Sequence, residues 1–91
     1  MLEPVFTTSF QRDIKRAQQR GYDMEKLKQT VNMLLRNERP FAPAYRDHPL
    51  KGKWKPKREL HIGPDWLLVY EVSETQCFFA RTGTHADIFN E

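Results

Sequence analysis

The sequence predicts an α+β domain in which an antiparallel helix pair packs on a small antiparallel β-sheet. Apolar residues recur at helical spacing in the N-terminal part of the chain, and after Lys57 the pattern changes to a period of two. Turn-forming residues then divide the C-terminal part into three segments of strand length. We therefore expect the helices to cover one face of the sheet and to leave the other face partly open.

The chain begins with a short segment and a helix. Residues 2–6 are partly apolar and contain a proline, which indicates an edge strand because proline has no N–H to donate. Thr8 followed by Gln11 matches a capping box, so the first helix is predicted over residues 9–20. Gly21 is a natural stop for this helix.

A second helix is predicted after a very short link. Asp23 can cap this helix, and Asn37 and Pro40 end it. Because residues 21–23 leave little chain between the two helices, we expect the pair to be antiparallel. The apolar stripe of the second helix consists of Met24, Leu27, Val31, Leu34 and Leu35.

The remaining chain predicts a three-stranded antiparallel meander. The segment from Pro40 to Gly52 is mostly loop, and Thr84 with His85 is predicted to start a short tail of about one helical turn. The middle strand is apolar on both faces, which places it at the centre of the sheet. The predicted strands span residues 58–62, 66–72 and 76–82, with turns at residues 63–65 and 73–75.

Length and composition indicate a single domain over residues 1–91. The chain is 38% hydrophobic, which suits a small packed core, and it carries a net charge of +3. The lone cysteine, Cys77, permits no internal disulfide and fits a reducing compartment. No apolar stretch approaches the roughly 18 residues of a membrane span, and the N-terminus lacks the features of a signal peptide. We therefore expect a cytoplasmic protein without a membrane partner.

The candidate chemistry lies in the second half of the chain. His48, His61 and His85 occur there with Asp65 and Arg81. The predicted meander can bring these side chains to one face or end of the sheet. Cleavage of RNA without metal needs a base for the 2′-hydroxyl, an acid for the 5′-oxygen and cations for the transition state. These residue types supply all three roles, although the sequence does not assign acid and base to particular histidines.

A lysine-rich run precedes the predicted sheet. It places five cations in eight residues, with Trp54 in the middle. A cationic and aromatic surface is typical of RNA binding, and a ribosomal RNA partner fits it. The same run could instead be a solvated edge that discourages strand pairing. The cations are Lys51, Lys53, Lys55, Lys57 and Arg58.

Several motifs together resemble the RelE superfamily of toxins and, more closely, its YafQ group of ribosome-dependent mRNA interferases. The likeness covers nearly the whole chain. The Asp-His-Pro-Leu segment at residues 47–50 and the Arg-Thr-Gly-Thr-His segment at residues 81–85 are together quite specific. The other matching positions are Gly52, Trp54, His61, Pro64, Asp65 and Trp66.

The resemblance implies a microbial RNase or RelE-like fold and cleavage of mRNA in the ribosomal A site. It also implies neutralisation by a cognate antitoxin, through which the complex binds operator DNA. No cofactor and no metal are expected. These implications identify the ribosome with its RNA, the mRNA and the antitoxin as partners.

The resemblance also suggests roles for individual residues. His85 matches the principal catalytic histidine, while His48, His61 and Asp65 match supporting acid–base and positioning residues. Arg81 matches a phosphate-contacting arginine. Phe89 matches a C-terminal aromatic residue that is linked to activity. At Glu59 this chain departs from the family pattern, which has aspartate at that position.

Each candidate also has a purely structural interpretation. The histidines could be hydrogen-bonded surface residues, and Asp65 could fix a turn through its own backbone. Arg81 could form an ion pair with Glu71 or Glu59 across the sheet. Two histidines and Asp65 could supply three ligands to a zinc ion, but their spacing matches no compact ligand motif and nearby lysines oppose a cation.

Two functions of other classes use the same residues. A non-catalytic RNA- or ribosome-binding module needs the basic run and the aromatics but no histidine. A protein-interaction subunit needs only an exposed apolar groove that grips a partner helix. Loss of RNA cutting with retained RNA binding on substitution of His85 separates the enzyme from the binding module.

Overall fold

The computed structural model describes residues 1–90, and Glu91, the last residue of the predicted domain, lies outside the described residues. Within residues 1–90, no helix is long and apolar enough to cross a membrane. Two short 3₁₀ turns span Pro43–Tyr45 and Gly52–Trp54. The other elements are β1 (Glu3–Phe6), α1 (Thr8–Gln19), α2 (Met24–Arg36), β2 (His48–Pro49), β3 (Arg58–Gly63), β4 (Trp66–Val72), β5 (Gln76–Gly83) and α3 (His85–Phe89).

The strands form one sheet in the order β1-β5-β4-β3-β2. The α+β class and the central position of β4 are therefore confirmed, and the predicted first strand does lie at an edge. The expectation of a wholly antiparallel sheet was wrong in one respect, because β1 pairs with β5 in parallel. A strand at the far end of the chain has no hairpin to fix its direction, so only tertiary packing sets it. The two-residue strand β2, paired with β3, lies in the segment expected to be mostly loop.

The helix ends follow the predicted signals with one shift. The hydroxyl of Thr7, not that of Thr8, caps α1 by accepting a hydrogen bond from the Phe10 N–H at 3.0 Å. The predicted capping box was therefore one residue late. Thr7 is the cap because its hydroxyl also donates to the Ala80 carbonyl at 2.9 Å, and this bond connects the start of α1 to β5. Gly21 follows α1 with a φ of +77° and supports the predicted stop.

The second helix has the predicted caps. The Asp23 carboxylate accepts a hydrogen bond from the Lys26 N–H at 3.1 Å. At the other end, Asn37 adopts the left-handed conformation with a φ of +52°. Of the predicted apolar stripe, three leucines are buried and the other two side chains pack against them. The buried members are Leu27, Leu34 and Leu35.

Apolar residues are buried on both faces of the sheet. The larger cluster joins α1 and α2 to the side chains of Leu60, Leu68 and Phe79, among others. The smaller cluster on the opposite face consists of Leu67, Val69, Ala80 and Ile88. Leu50, Trp54 and Phe89 pack against the smaller cluster, so α3 and the Trp54 turn cover part of the face that the helix pair leaves open.

A buried carboxylate connects α1 to β5. The Asp13 side chain is 3% exposed and accepts hydrogen bonds from Arg16, from Arg81 and from the backbone N–H of Thr82. The bond from Arg81 Nε is 2.7 Å long, and the bond from the Thr82 N–H is 3.0 Å long. Each of these donors loses a hydrogen bond if the carboxylate is removed, so Asp13 is a central polar contact of the fold.

A second carboxylate fixes the loop that leads to β2. Asp47 contacts Arg39 and Arg58, and it accepts a hydrogen bond from the hydroxyl of the buried Tyr70. Burial alone would raise the pKa of Asp47, but the hydrogen bonds from Tyr70 and Arg58 outweigh it and lower this pKa. Burial and the bond to Asp47 raise the pKa of Tyr70 to about 12. Since His48 follows directly, this cluster determines where that histidine lies.

Candidate active site

The three histidines lie in one row. The ring of His61 is in the middle, with its centroid 6.4 Å from that of His48 and 6.2 Å from that of His85. Leu60 and Ile62 point into the core beneath α1 and α2, so His61 between them faces the opposite side of the sheet. The row is thus built from β2, β3 and the first residue of α3, which are far apart in the sequence.

Asp65 holds His85 at one end of the row. One carboxylate oxygen, Oδ1, accepts from the His85 backbone N–H at 3.1 Å and contacts ring Nδ1 at 3.0 Å. The hydrogen bond with the His85 ring is the main cause that lowers the pKa of Asp65, and the bond from the His85 backbone N–H lowers it further. Because a carboxylate only accepts, Nδ1 carries a proton and Nε2 is the nitrogen left for a substrate. Both side chains are exposed, at 46% for His85 and 61% for Asp65.

Glu59 lies beneath the other two histidines. Its side chain is only 6% exposed, and its Oε2 lies 3.1 Å from Nε2 of His48 and 3.9 Å from Nε2 of His61. The Nδ1 of His48 contacts the Arg46 carbonyl at 2.6 Å. Both ring nitrogens of His48 therefore face acceptor oxygens, and because a carbonyl only accepts, Nδ1 carries the proton of the bond to Arg46.

The surroundings of His61 favour its uncharged ring. Burial lowers the pKa of this histidine, although Glu59 acts in the opposite direction. The charges of Arg46, His85 and His48 lower it further. The neutral form of His61 is therefore favoured.

Two aromatic rings extend the row beyond His85. The Phe89 ring centroid lies 6.2 Å from that of His85 and 5.1 Å from that of Trp54, against which it packs edge to face. Trp54 belongs to the lysine-rich run, so the middle of the run lies beside Phe89, while Arg58 at its end contacts Asp47 next to His48. Three lysines of the run, Lys51, Lys53 and Lys55, are exposed.

Arg81 has contacts that the sequence did not predict. Its Nε donates to Asp13 at 2.7 Å, and its Nη2 donates to Asp13 and to the carbonyl of Asp87, each at 3.2 Å. The suggested ion pair with Glu71 or Glu59 was wrong, because the acidic partner comes from α1 instead. The side chain remains 24% exposed, and its observed contacts tie β5 to α1 and α3 rather than to the histidine row.

Comparison with known sequences then establishes the family. The profile of the family described as "Bacterial toxin of type II toxin-antitoxin system, YafQ" matches residues 2–90. The chain belongs to the YafQ family. It is 43% identical over 84 residues to the mRNA interferase toxin YafQ of Escherichia coli K12, a match covering 92% of this chain and 91% of that protein.

Solved structures of YafQ-family and related toxins have the same fold. The E. coli DinJ-YafQ toxin-antitoxin complex contains a chain that superposes with a TM-score of 0.90 at 41% identity, covering 97% of both chains. A metal-bound toxin from Helicobacter pylori superposes with a TM-score of 0.88 at 41% identity, covering 98% of this chain and all of that one. In this YafQ-family chain, no group of three or more histidine, cysteine, aspartate or glutamate side chains within residues 1–90 is arranged to hold a metal ion.

Sequence reasoning missed Glu59 as a contributor to this YafQ-family site. It appeared only as a departure from the family pattern, yet its carboxylate contacts two of the three histidines. Period-two alternation could have found half of this arrangement, because Glu59 and His61 are two residues apart on one strand and share a face. The contact with His48 could not be found that way, since it depends on the pairing of His48 with Glu59 between β2 and β3.

Proposed function

We propose that this single-domain YafQ-family toxin is a cytoplasmic endoribonuclease that cuts mRNA on the ribosome by acid–base catalysis without a metal ion. The observation that carries the proposal is the row of His48, His61 and His85, in which Asp65 and Glu59 support the rings. The row provides proton acceptors and donors about 6 Å apart between ring centroids, which suits the two ends of one phosphodiester.

In this proposal His61 is the general base. Its lowered pKa keeps the imidazole neutral near pH 7, so it can take the proton of the 2′-hydroxyl. The 2′-oxygen then attacks phosphorus, and the bond from phosphorus to the 5′-oxygen breaks. The product on the 5′ side of the cut ends in a 2′,3′-cyclic phosphate.

His85 is the proposed general acid. Asp65 holds Nδ1 and so orients the ring, which leaves Nε2 to donate a proton to the leaving 5′-oxygen. His48, whose Nε2 contacts Glu59, is proposed to share proton transfer with His61.

Five other residues are proposed to hold the RNA. Phe89, next to the His85 ring, supports a base, and Arg81 contacts phosphate through Nη1, the nitrogen that neither Asp13 nor Asp87 binds. The exposed lysines Lys51, Lys53 and Lys55 bind phosphates of the mRNA or of ribosomal RNA.

The ribosome is proposed to position the substrate, because the site is an open row on a sheet face rather than a closed cleft. A cognate antitoxin is proposed to neutralise the toxin, as the E. coli DinJ-YafQ complex suggests for this family. The toxin–antitoxin complex would bind operator DNA through the antitoxin.

Primer extension on an mRNA in an in vitro translation reaction tests the proposal. We expect discrete cuts with ribosomes and very slow cutting of the same RNA without them. The 5′ fragments should carry 2′,3′-cyclic phosphate, whereas attack by metal-activated water would leave no cyclic phosphate. Toxin treated with a chelator, which is removed before the assay, should cut at the same rate. Ribosome binding without any cut would favour the non-catalytic RNA-binding module.

The pH dependence of cleavage should reveal the base. Since the pKa of His61 is lowered from its ordinary 6.5, the ring stays neutral to below that pH. The single-turnover rate on programmed ribosomes should therefore rise with pH through a value below 6.5 and level off near neutrality. Peptide-bond formation by the same ribosomes without toxin provides the control for pH effects on the ribosome. A rise in the cleavage rate that is centred above pH 6.5 would contradict the assignment of His61 as the general base.

A further inference from the structure

Two adjoining cavities form a trough beside the histidine row. One cavity, of about 590 Å³, is bordered by Tyr22, Asp65 and Thr84. The other, of about 390 Å³, is bordered by Arg46 and His61. The residues that line both cavities are Lys26, Gly63 and Pro64. The two cavities therefore adjoin at these shared walls, and we refer to the pair as the trough.

We propose that this trough binds a single strand of RNA by its phosphates, with Lys26 and Arg46 as the cationic contacts. The inference rests on the proposed nuclease function, because it describes the path of the strand that the histidine row would cut. The trough runs past His61 at one end and past Asp65, the partner of His85, at the other. A strand lying in it would therefore reach both ends of the proposed reaction.

The charges at the trough suit an anion. Lys26 and Arg46 are exposed, and in the part of the chain that the structure describes neither side chain forms a salt bridge. Arg39 and Arg58 differ from them, because both contact the carboxylate of Asp47. The two cations of the trough can therefore pair with phosphates without breaking an existing ion pair.

The acidic residues at the trough are already engaged. The Asp23 carboxylate accepts the N–H of Lys26 at the start of α2, and Asp65 binds His85. The lysine-rich run is a separate set of cations, since the residues that line the two cavities include none of residues 51–58. The run and the trough can therefore contact different phosphates of one RNA.

Salt titration of RNA binding tests the proposal. The protein is His85→Ala, which keeps the RNA intact, and the probes are single-stranded oligouridylate and oligoadenylate of equal length. Lys26→Gln and Arg46→Gln should each reduce the slope of log affinity against log salt by about 0.7, and the double variant by about 1.4. The reduction should be the same for both sequences, because phosphates carry no base identity.

Lys28→Gln is the matched control. Lys28 lies on the same helix and has the same charge, but it lines the apolar groove between α1 and α2. The slope of log affinity against log salt for Lys28→Gln should equal that of the His85→Ala parent. Unchanged slopes in the Lys26 and Arg46 variants would overturn the proposal, as would the absence of any binding by the parent at low salt. Continued cutting by His85→Ala would instead contradict the proposed catalysis and would leave the salt slopes to decide on the trough.

Discussion

His85→Ala should reduce the rate of ribosome-dependent mRNA cleavage by roughly 10²–10⁴-fold, which is the usual contribution of one positioned acid or base. The reason is that Nε2 of His85 is the proposed donor to the 5′-oxygen, and alanine has no proton to give. The measurement is single-turnover cleavage on programmed ribosomes, followed by primer extension.

The same variant should remain folded and should still bind ribosomes. His85 is exposed, and its backbone N–H keeps its bond to Asp65 whatever the side chain is. Thermal unfolding and ribosome co-sedimentation check these two points, and Lys28→Gln should cut at the wild-type rate in the same assay. If His85→Ala still cuts at a rate close to wild type, His85 is not the acid.

Asp13→Ala should lower the free energy of unfolding by about 3–5 kcal/mol, a large fraction of the stability of a small domain. The variant leaves the Thr82 N–H without its acceptor and leaves the Arg81 guanidinium with only the Asp87 carbonyl, and both groups lie between α1 and β5. Urea denaturation of the variant in the His85→Ala background measures the loss without the toxicity of an active nuclease.

Asp23→Ala is the comparison for this second prediction, because it also removes a helical carboxylate that accepts a backbone N–H. Asp23 is exposed at a helix cap, so its loss should cost only about 1 kcal/mol. The loss of unfolding free energy in Asp13→Asn should fall between those of Asp13→Ala and Asp23→Ala, since the amide keeps one acceptor oxygen but loses the charge. A change below about 1 kcal/mol for Asp13→Ala would mean that the polar network contributes little net stability.

Much of the fold could be predicted because its signals are local. Gly21, Asp23 and Asn37 mark helix ends through their own backbone preferences and short-range hydrogen bonds, and the structure has them in those roles. The turns between β3 and β4 and between β4 and β5 could be predicted for the same reason. The exception is the cap of α1, where Thr7 rather than Thr8 is used because the Thr7 hydroxyl also bonds the Ala80 carbonyl, a contact that no local pattern reveals.

The sequence by itself determined the α+β class, the order of most elements and the residue types needed for acid–base chemistry. Hydrophobic periodicity and turn chemistry act over a few residues, so they can be read along the chain. Only the tertiary structure decided that β1 runs parallel to β5 and that Asp13 binds Arg81. It alone also placed Glu59 beneath two histidines. These are contacts between residues distant in sequence or on different strands, and their geometry arises only when the sheet and helices pack together.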